Sequence, residues 1–136
     1  SAGKGIYHSE FNASTTEPLK FLQIWIQPNQ FGGQPGYQQK AFGTEQGVTL
    51  ILSPDGRDGS LTLKQDARLY QLILNAQGEQ QLPVAPGRKL YIHVISGDLL
   101  VGGQQLQAGD GIKISAESAL HLVSPAGVKA LIFDLP

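Results

Sequence analysis

The chain has 136 residues, enough for one domain with a real hydrophobic core. Its 10 basic and 11 acidic residues give a net charge of -1, and without a basic surplus to neutralise phosphates we do not expect nucleic acid as a main partner. The sequence has no cysteine, no apolar run near the roughly 20 residues that cross a membrane and no recognisable signal peptide, so we expect a cytoplasmic protein without disulfides, thiol chemistry or a membrane partner.

The first feature along the chain is the segment GKGIYHSEF, which places His8 and Glu10 two residues apart. In a strand, positions i and i+2 project to the same side, so the two side chains would arrive together. Imidazole and carboxylate are good ligands for iron, manganese, zinc, nickel or copper. On spacing alone, however, an ordinary surface histidine and glutamate explain the pair more simply than a metal site does.

The next segment, residues 19–27 (LKFLQIWIQ), carries apolar side chains on both faces of a predicted strand. Leu22, Ile24 and Ile26 would lie on one face and Phe21 and Trp25 on the other. We therefore predict a strand buried on both sides. Trp25 is expected to be a core aromatic, with a place beside a substrate pocket of the intact protein as the alternative. The Pro- and Gly-rich residues 28–37 then break all regularity and are the best candidate for a linker.

From residue 48 to the end, about eight short strand-like segments alternate with turn signals, and no sustained helical period is present. The 17 glycines and 8 prolines suit this arrangement. Gly102 and Gly103 predict a two-residue hairpin turn of a primed type, and residues 119–135 predict a last hairpin around residues 125–127. The fold class is therefore all-β, of the jelly-roll type.

Several of these elements resemble the pirin family of the cupin superfamily, in its bacterial quercetin 2,3-dioxygenase-like branch. The resemblance lies in the Gly-x-Gly-x-x-His-x-Glu element of residues 3–10, in the Gln-x-Trp segment that ends at Pro28, in LSPDGRDGSL, and in the later VISGD, GDG and FDLP segments. It covers essentially the whole chain and implies two tandem cupin barrels (double-stranded β-helices). We therefore expect residues 1–45 to hold remnant strands of an N-terminal metal-binding barrel plus a linker, and residues 46–136 a metal-free C-terminal cupin barrel.

The resemblance also implies a metal site in the N-terminal barrel. In the family one metal, usually iron, is held by three histidines and one glutamate, and His8 and Glu10 match the last two of these ligands. The resemblance further makes Glu10 the catalytic base that takes the hydroxyl proton of a flavonol. The other ligands would come from a His-x-His pair upstream of Ser1, so we expect Fe(II) binding in the intact protein and weak or no binding by this chain.

The remaining histidines, His93 and His121, are not expected to be ligands. This chain has no His-x-His, and His121 follows Asp110 at eleven residues rather than the ten expected of a cupin ligand, which puts it on the opposite strand face. We expect His93 to be a packed or surface residue and His121 to lie on a polar face. The segment SPDGRDGS lacks the spacing of an EF-hand loop and is predicted to be turn structure.

Three functional hypotheses remain at this point. The intact protein would be a metal-dependent dioxygenase that opens quercetin-type flavonols, with this chain inactive by itself. The alternative is a non-catalytic pirin-like scaffold or protein-interaction module. A small-sugar or metabolite-binding jelly roll is a third hypothesis, which no residue pattern supports. The motifs of an α/β-hydrolase nucleophile and of a phosphate-binding loop are both missing from the sequence.

If residues 1 to about 30 are separated from their barrel, their apolar side chains become exposed. Unpaired apolar strands tend to pair with another chain. We therefore expect a homo-oligomer that forms through the exposed N-terminal strands.

Overall fold

A computed structural model describes all 136 residues. Residues 1–46, which we call the arm, form no strand and no helix. Residues 47–136, which we call the barrel, contain nine strands and one short 3-10 turn at Arg57–Gly59. The strands are β1 (Gly47–Ser53), β2 (Leu61–Thr62), β3 (Arg68–Leu74), β4 (Gly78–Pro83), β5 (Lys89–Val101), β6 (Gln104–Gln107), β7 (Gly111–Ile114), β8 (Ala119–Ser124) and β9 (Val128–Leu135).

The nine strands curl into two layers that share the long strand β5. Its first half pairs with β9 and β7, and its second half pairs with β6 and β8. A bulge between Val94 and Ser96 lies where β5 passes from one layer to the other, as expected where a strand bends sharply. The main path of paired strands is β2-β1-β3-β9-β5-β8-β4, and β6 and β7 each pair with β5 beside this path. The predicted all-β cupin-like fold is therefore confirmed.

The core lies between the two layers. It forms because inward-facing apolar residues alternate with outward-facing residues along the strands. On β5, Leu90, Ile92 and Val94 are 4%, 0% and 0% exposed, while the residues between them face outward. Strands β3, β8 and β9 contribute their own alternating apolar residues to the same cluster of 14 buried side chains. Since every strand except β2 contributes side chains to this cluster or packs against it, one continuous core stabilises the barrel.

Three glycines adopt backbone conformations that other residues rarely adopt. Gly102 and Gly103 have φ of 55° and 83° and link the paired residues Val101 and Gln104, which confirms the predicted primed turn. Gly97 has φ of 81°, and a Cβ atom there would lie 1.9 Å from the carbonyl oxygen of Gly127. The close crossing of β5 over the turn before β9 therefore requires glycine at position 97.

The structure corrects two of the predicted strand arrangements. The strands β8 and β9 do not form a hairpin, because β5 lies between them in the sheet order and residues 125–127 carry the chain across it. Residues 19–27 do not form a strand, and Trp25 is 86% exposed rather than buried. In both cases the local apolar pattern is present in the sequence, but which strand pairs with it depends on distant parts of the chain.

No helix in the structure is both long and apolar enough to span a membrane.

Candidate functional site

His8 and Glu10 lie on the arm, outside any strand. Their nearest side-chain atoms, His8 Nε2 and Glu10 Oε1, are 3.8 Å apart, and the two side chains are 56% and 51% exposed. Gly5, with φ of 117°, and Gly3, with φ of 53°, let the backbone turn just before the pair. The predicted strand that would align the two side chains is therefore absent, but the loop still brings them together.

Contacts between residues 1–3 and residues 33–36 position this loop. The Ser1 backbone nitrogen donates a hydrogen bond to the Gly36 carbonyl at 2.8 Å, and the Gly36 N–H donates to the Ser1 carbonyl at 3.0 Å. A Cβ atom at Gly3 would lie 2.3 Å from the Gly33 carbonyl oxygen, so the two stretches of the arm approach each other closely. These contacts hold the segment before His8 against residues 33–36.

The donor set fits part of a metal site. A histidine nitrogen and a carboxylate oxygen are common ligands of divalent transition metals, and exposed side chains 3.8 Å apart need only small rotations to share one ion. The structure contains no group of three or more histidine, cysteine, aspartate or glutamate side chains that could hold a metal. The pair could therefore offer two donors to a metal, which is fewer than a full coordination shell.

The other two histidines lie far along the chain from this pair, on the barrel. His121 of β8 is exposed, between the buried Leu120 and Leu122, as predicted. Its Nε2 lies 3.1 Å from a carboxylate oxygen of Glu79 on β4. His93 is half-buried on the outward face of β5, opposite Leu131 of β9.

The segment SPDGRDGS is a turn, as predicted. The buried Ser53 hydroxyl donates to Asp55 at 2.9 Å and lies 2.7 Å from the Ser60 hydroxyl, which closes the loop. The hydrogen bond from the Ser53 hydroxyl lowers the pKa of Asp55 most. The hydrogen bond from the Arg57 N–H lowers it further, so the pKa of Asp55 lies below its ordinary value. The carboxylate is thus a part of the turn itself.

A cluster of four charged residues closes one end of the barrel. Arg88 Nε donates to Asp134 at 2.6 Å and its Nη1 donates to Asp66 at 2.8 Å, while Arg68 Nη1 lies 3.3 Å from Asp134. Burial alone would lower the pKa of Arg88, but the hydrogen bonds and charges of Asp134 and Asp66 raise it overall. The cluster stabilises the junction of the β2–β3 loop with β9.

A large groove, which the sequence did not indicate, runs between the arm and the outer face of the barrel. One wall is formed by arm residues 22–27, and the floor by outward-facing residues of β5, β7 and β9. Its volume is about 1010 Å³. One signal could have revealed it: Leu131, Phe133 and Leu135 alternate with the core residues of β9, so both faces of this strand are apolar. Such a strand is expected to be covered on both sides.

The curled layers around a single core define a cupin-type barrel, and comparison with solved structures agrees. The crystal structure of YhhW from Escherichia coli superposes with a TM-score of 0.80 at 37% identity, covering 82% of this chain and 48% of that one. Bacterial pirin YhhW in complex with nickel(II) superposes with a TM-score of 0.77 at 36% identity, covering 80% and 47%. A model of the quercetinase C-terminal cupin domain matches residues 50–135, and the chain belongs to this pirin family.

Curated relatives match over the arm as well as the barrel. Quercetin 2,3-dioxygenase of Escherichia coli K12 is 41% identical over 136 residues, which is 100% of this chain and 59% of the relative. A putative quercetin 2,3-dioxygenase of Pasteurella multocida is 36% identical, covering 99% and 59%. A pirin-like protein of Caulobacter vibrioides is 30% identical, covering 98% and 59%. The chain thus spans about 59% of the length of these three relatives.

Proposed function

We propose that this chain is the C-terminal part of a metal-dependent dioxygenase that opens quercetin-type flavonols. In this proposal residues 1–45 belong to an N-terminal metal-binding barrel, and residues 46–136 are the metal-free second barrel. The whole protein would act in the cytoplasm on a small aromatic substrate, and the chain alone would be inactive.

One observation carries the proposal. In a chain that is similar over its whole length to a quercetin 2,3-dioxygenase, His8 and Glu10 face each other at 3.8 Å on an exposed loop. Neither donor is hydrogen-bonded to another residue of the chain, so both are free to bind a metal. The pirin-type neighbour that binds nickel(II) supports a metal in this family, and Fe(II) is our proposal for the ion used in catalysis.

Each of the two residues has a defined part in this scheme. His8 would present its Nε2 lone pair in the neutral form that metal binding requires. Glu10 would hold the metal with one carboxylate oxygen and accept the proton of the flavonol hydroxyl as a general base. When bound, the metal supplies Lewis-acid and redox chemistry to the substrate.

Flavonol turnover by the intact protein, with its upstream segment, tests the proposal. We expect His8→Ala and Glu10→Gln each to lower the metal content. We expect Glu10→Gln to lower flavonol consumption by more than about 100-fold, since losing a catalytic base alone costs about 100-fold to 10,000-fold. His121→Ala is the matched control, because His121 also faces a glutamate on the surface but lies on the barrel. Full activity of the His8 and Glu10 variants would overturn the assignment.

The 136-residue chain itself gives a second test. We expect weak binding of Fe(II) and Ni(II), because two protein donors leave most of the coordination shell to water. Calorimetric titration of the chain and of the intact protein measures the difference. One tightly held ion per chain, or flavonol opening by the chain alone, would contradict this part of the proposal.

A non-catalytic protein-interaction module is the second candidate, and the exposed apolar side chains of the arm favour it. Phe21, Trp25 and Phe31 are 61%, 86% and 77% exposed, as in surfaces that bind another protein. We expect the chain to self-associate through this surface. Light scattering should show oligomers that Phe21→Ser and Trp25→Ser dissociate, and a clean monomer at high concentration would rule the oligomer out.

A further inference from the structure

We propose that Lys64 of the barrel is a positioning residue for the loop of residues 3–10, here called the metal loop, on which it acts through residues 33–36 of the arm. This inference rests on the proposed function, because it takes His8 and Glu10 as metal ligands. Lys64 makes no hydrogen bond or salt bridge to either ligand. Its part is to hold the stretch of chain against which the metal loop lies.

The first step of the linkage joins the residues after β2 to the arm. Lys64 Nζ donates a hydrogen bond to the Gln34 carbonyl at 2.6 Å, and a Cβ atom at Gly33 would lie 3.7 Å from the same nitrogen. The Lys64 carbonyl also accepts a hydrogen bond from the Asn29 N–H at 3.0 Å. Because hydrogen bonds from a charged donor are stronger than neutral ones, the bond to Gln34 is the firmer of the two attachments.

The second step joins residues 33–36 to the start of the metal loop. Ser1 and Gly36 exchange two backbone hydrogen bonds, of 2.8 and 3.0 Å. A Cβ atom at Gly3 would lie 2.6 Å from the carbonyl carbon of Gln34, whose oxygen accepts the hydrogen bond of the lysine. The metal loop therefore begins in direct contact with the residue that the barrel holds.

The third step is the short turn before the ligands. The Gly5 N–H donates a hydrogen bond to the Ala2 carbonyl at 2.7 Å, and only two residues separate Gly5 from His8. A displacement of the arm beneath this turn is therefore passed to the backbone that carries His8 and Glu10. In a protein with two barrels, the metal-free barrel would thus help to order the metal site of the other.

Positioning and charge have opposite effects on the affinity for a metal. A donor pair on an unrestrained loop must be ordered when the ion binds, and the entropy lost in this way subtracts from the affinity. By holding the loop, Lys64 reduces that loss. Its positive charge, in contrast, repels a metal cation. Loss of positioning therefore weakens metal binding, whereas loss of the charge alone strengthens it.

The test is calorimetric titration of the intact protein, with its upstream segment, against Ni(II). We expect Lys64→Met, which keeps the length of the side chain but removes the donor, to weaken Ni(II) binding about threefold to tenfold, the effect of one hydrogen bond. Lys64→Arg keeps a charged donor and should bind Ni(II) as the unaltered protein does. Unchanged or tighter Ni(II) binding by Lys64→Met would overturn the proposal.

Lys40→Met is the matched control. The Lys40 ammonium group also donates to a main-chain carbonyl of the barrel, that of Gly59, but residue 40 lies outside the stretch that contacts the metal loop. We expect its Ni(II) affinity to be unchanged. An equal loss of affinity in Lys40→Met would mean that any release of the arm weakens the metal site, and would also overturn the assignment of Lys64.

Hydrogen exchange of the metal-free intact protein gives a readout that does not depend on the metal. We expect Lys64→Met to speed amide exchange in residues 1–5 severalfold, because these residues lie against the stretch that Lys64 holds. Exchange in the core strands β5 and β9 should stay the same, since Lys64 is exposed. Unaltered exchange in residues 1–5 would contradict the proposal.

The variant His8→Ala separates this inference from the proposed function. If His8→Ala binds Ni(II) as tightly as the unaltered protein, the proposed metal site is wrong and the role of Lys64 falls with it. If His8→Ala loses Ni(II) while Lys64→Met retains full affinity, the metal site stands and only the role of Lys64 is wrong.

Discussion

The arm and the barrel contain similar apolar patterns but use them in opposite ways. In the barrel, alternating residues such as Ile92 and Leu122 are fully buried. In the arm, the pattern of residues 19–27 is just as apolar, yet Ile24 is 40% exposed and Trp25 86% exposed. The arm is attached to the barrel mainly by polar contacts, such as the hydrogen bond from Gln71 Nε2 to the Gly43 carbonyl.

The difference shows that an apolar pattern stabilises a strand only when another strand pairs with it. Each barrel strand has at least one hydrogen-bonded neighbour, and all but β2 face a shared core. Within these 136 residues no strand pairs with the arm, so its backbone groups bond to water or to loops and its apolar side chains remain accessible. Isolated strands are not stable in water. Global stability should therefore depend on the barrel almost alone.

The largest expected effect compares one isoleucine from each region. Ile92→Ala leaves a cavity in the centre of the core and should lower the free energy of unfolding by about 4 kcal/mol. Ile24→Ala, the same chemical change in the arm, should cost less than about 1 kcal/mol. Urea unfolding followed by circular dichroism measures both. Similar losses for the two variants would mean that the arm is part of the cooperative core.

A smaller effect compares two glycines with positive φ inside the barrel. Gly97→Ala should cost about 3 kcal/mol, because it adds a clash with the Gly127 carbonyl to the strain of its left-handed backbone. Gly102→Ala has only the strain, since open space surrounds that position, and should cost about 1 kcal/mol. Thermal unfolding of the two variants checks this. Equal decreases in the thermal unfolding midpoints of the two variants would mean that the Gly127 carbonyl does not restrict position 97.

The smallest effect compares two arginines that each lie near two carboxylates. Arg88→Gln removes the ion pairs that join Asp134 and Asp66, and should cost about 2 kcal/mol because Arg88 and Asp134 are only 11% and 16% exposed. Arg57→Gln breaks two exposed contacts of 3.9 Å and should leave the unfolding midpoint unchanged. Denaturant titration in low and high salt measures both losses. If Arg57→Gln lowered the free energy of unfolding as much as Arg88→Gln does, the exposed ion pairs of Arg57 would stabilise the fold as strongly as those of Arg88.

The candidate sites were predictable to different degrees. His8 and Glu10 are only two residues apart in sequence, so their proximity at 3.8 Å needs only a local turn. The groove joins residues 22–27 with Tyr91, Lys113 and Phe133, which are distant along the chain and meet only through sheet register. The exposed position of His121 was predicted because strand alternation is also a local property.

The sequence by itself determined the all-β class, most strand positions in the barrel, the face that each strand buries and the turn at Gly102 and Gly103. All of these depend on side chains within a few residues of one another. Only the tertiary structure decided that β5 separates β8 from β9, that the arm forms no strand and that Trp25 borders a groove. Alternation specifies which side of a strand is apolar, but not which distant strand will pair with it or cover that side.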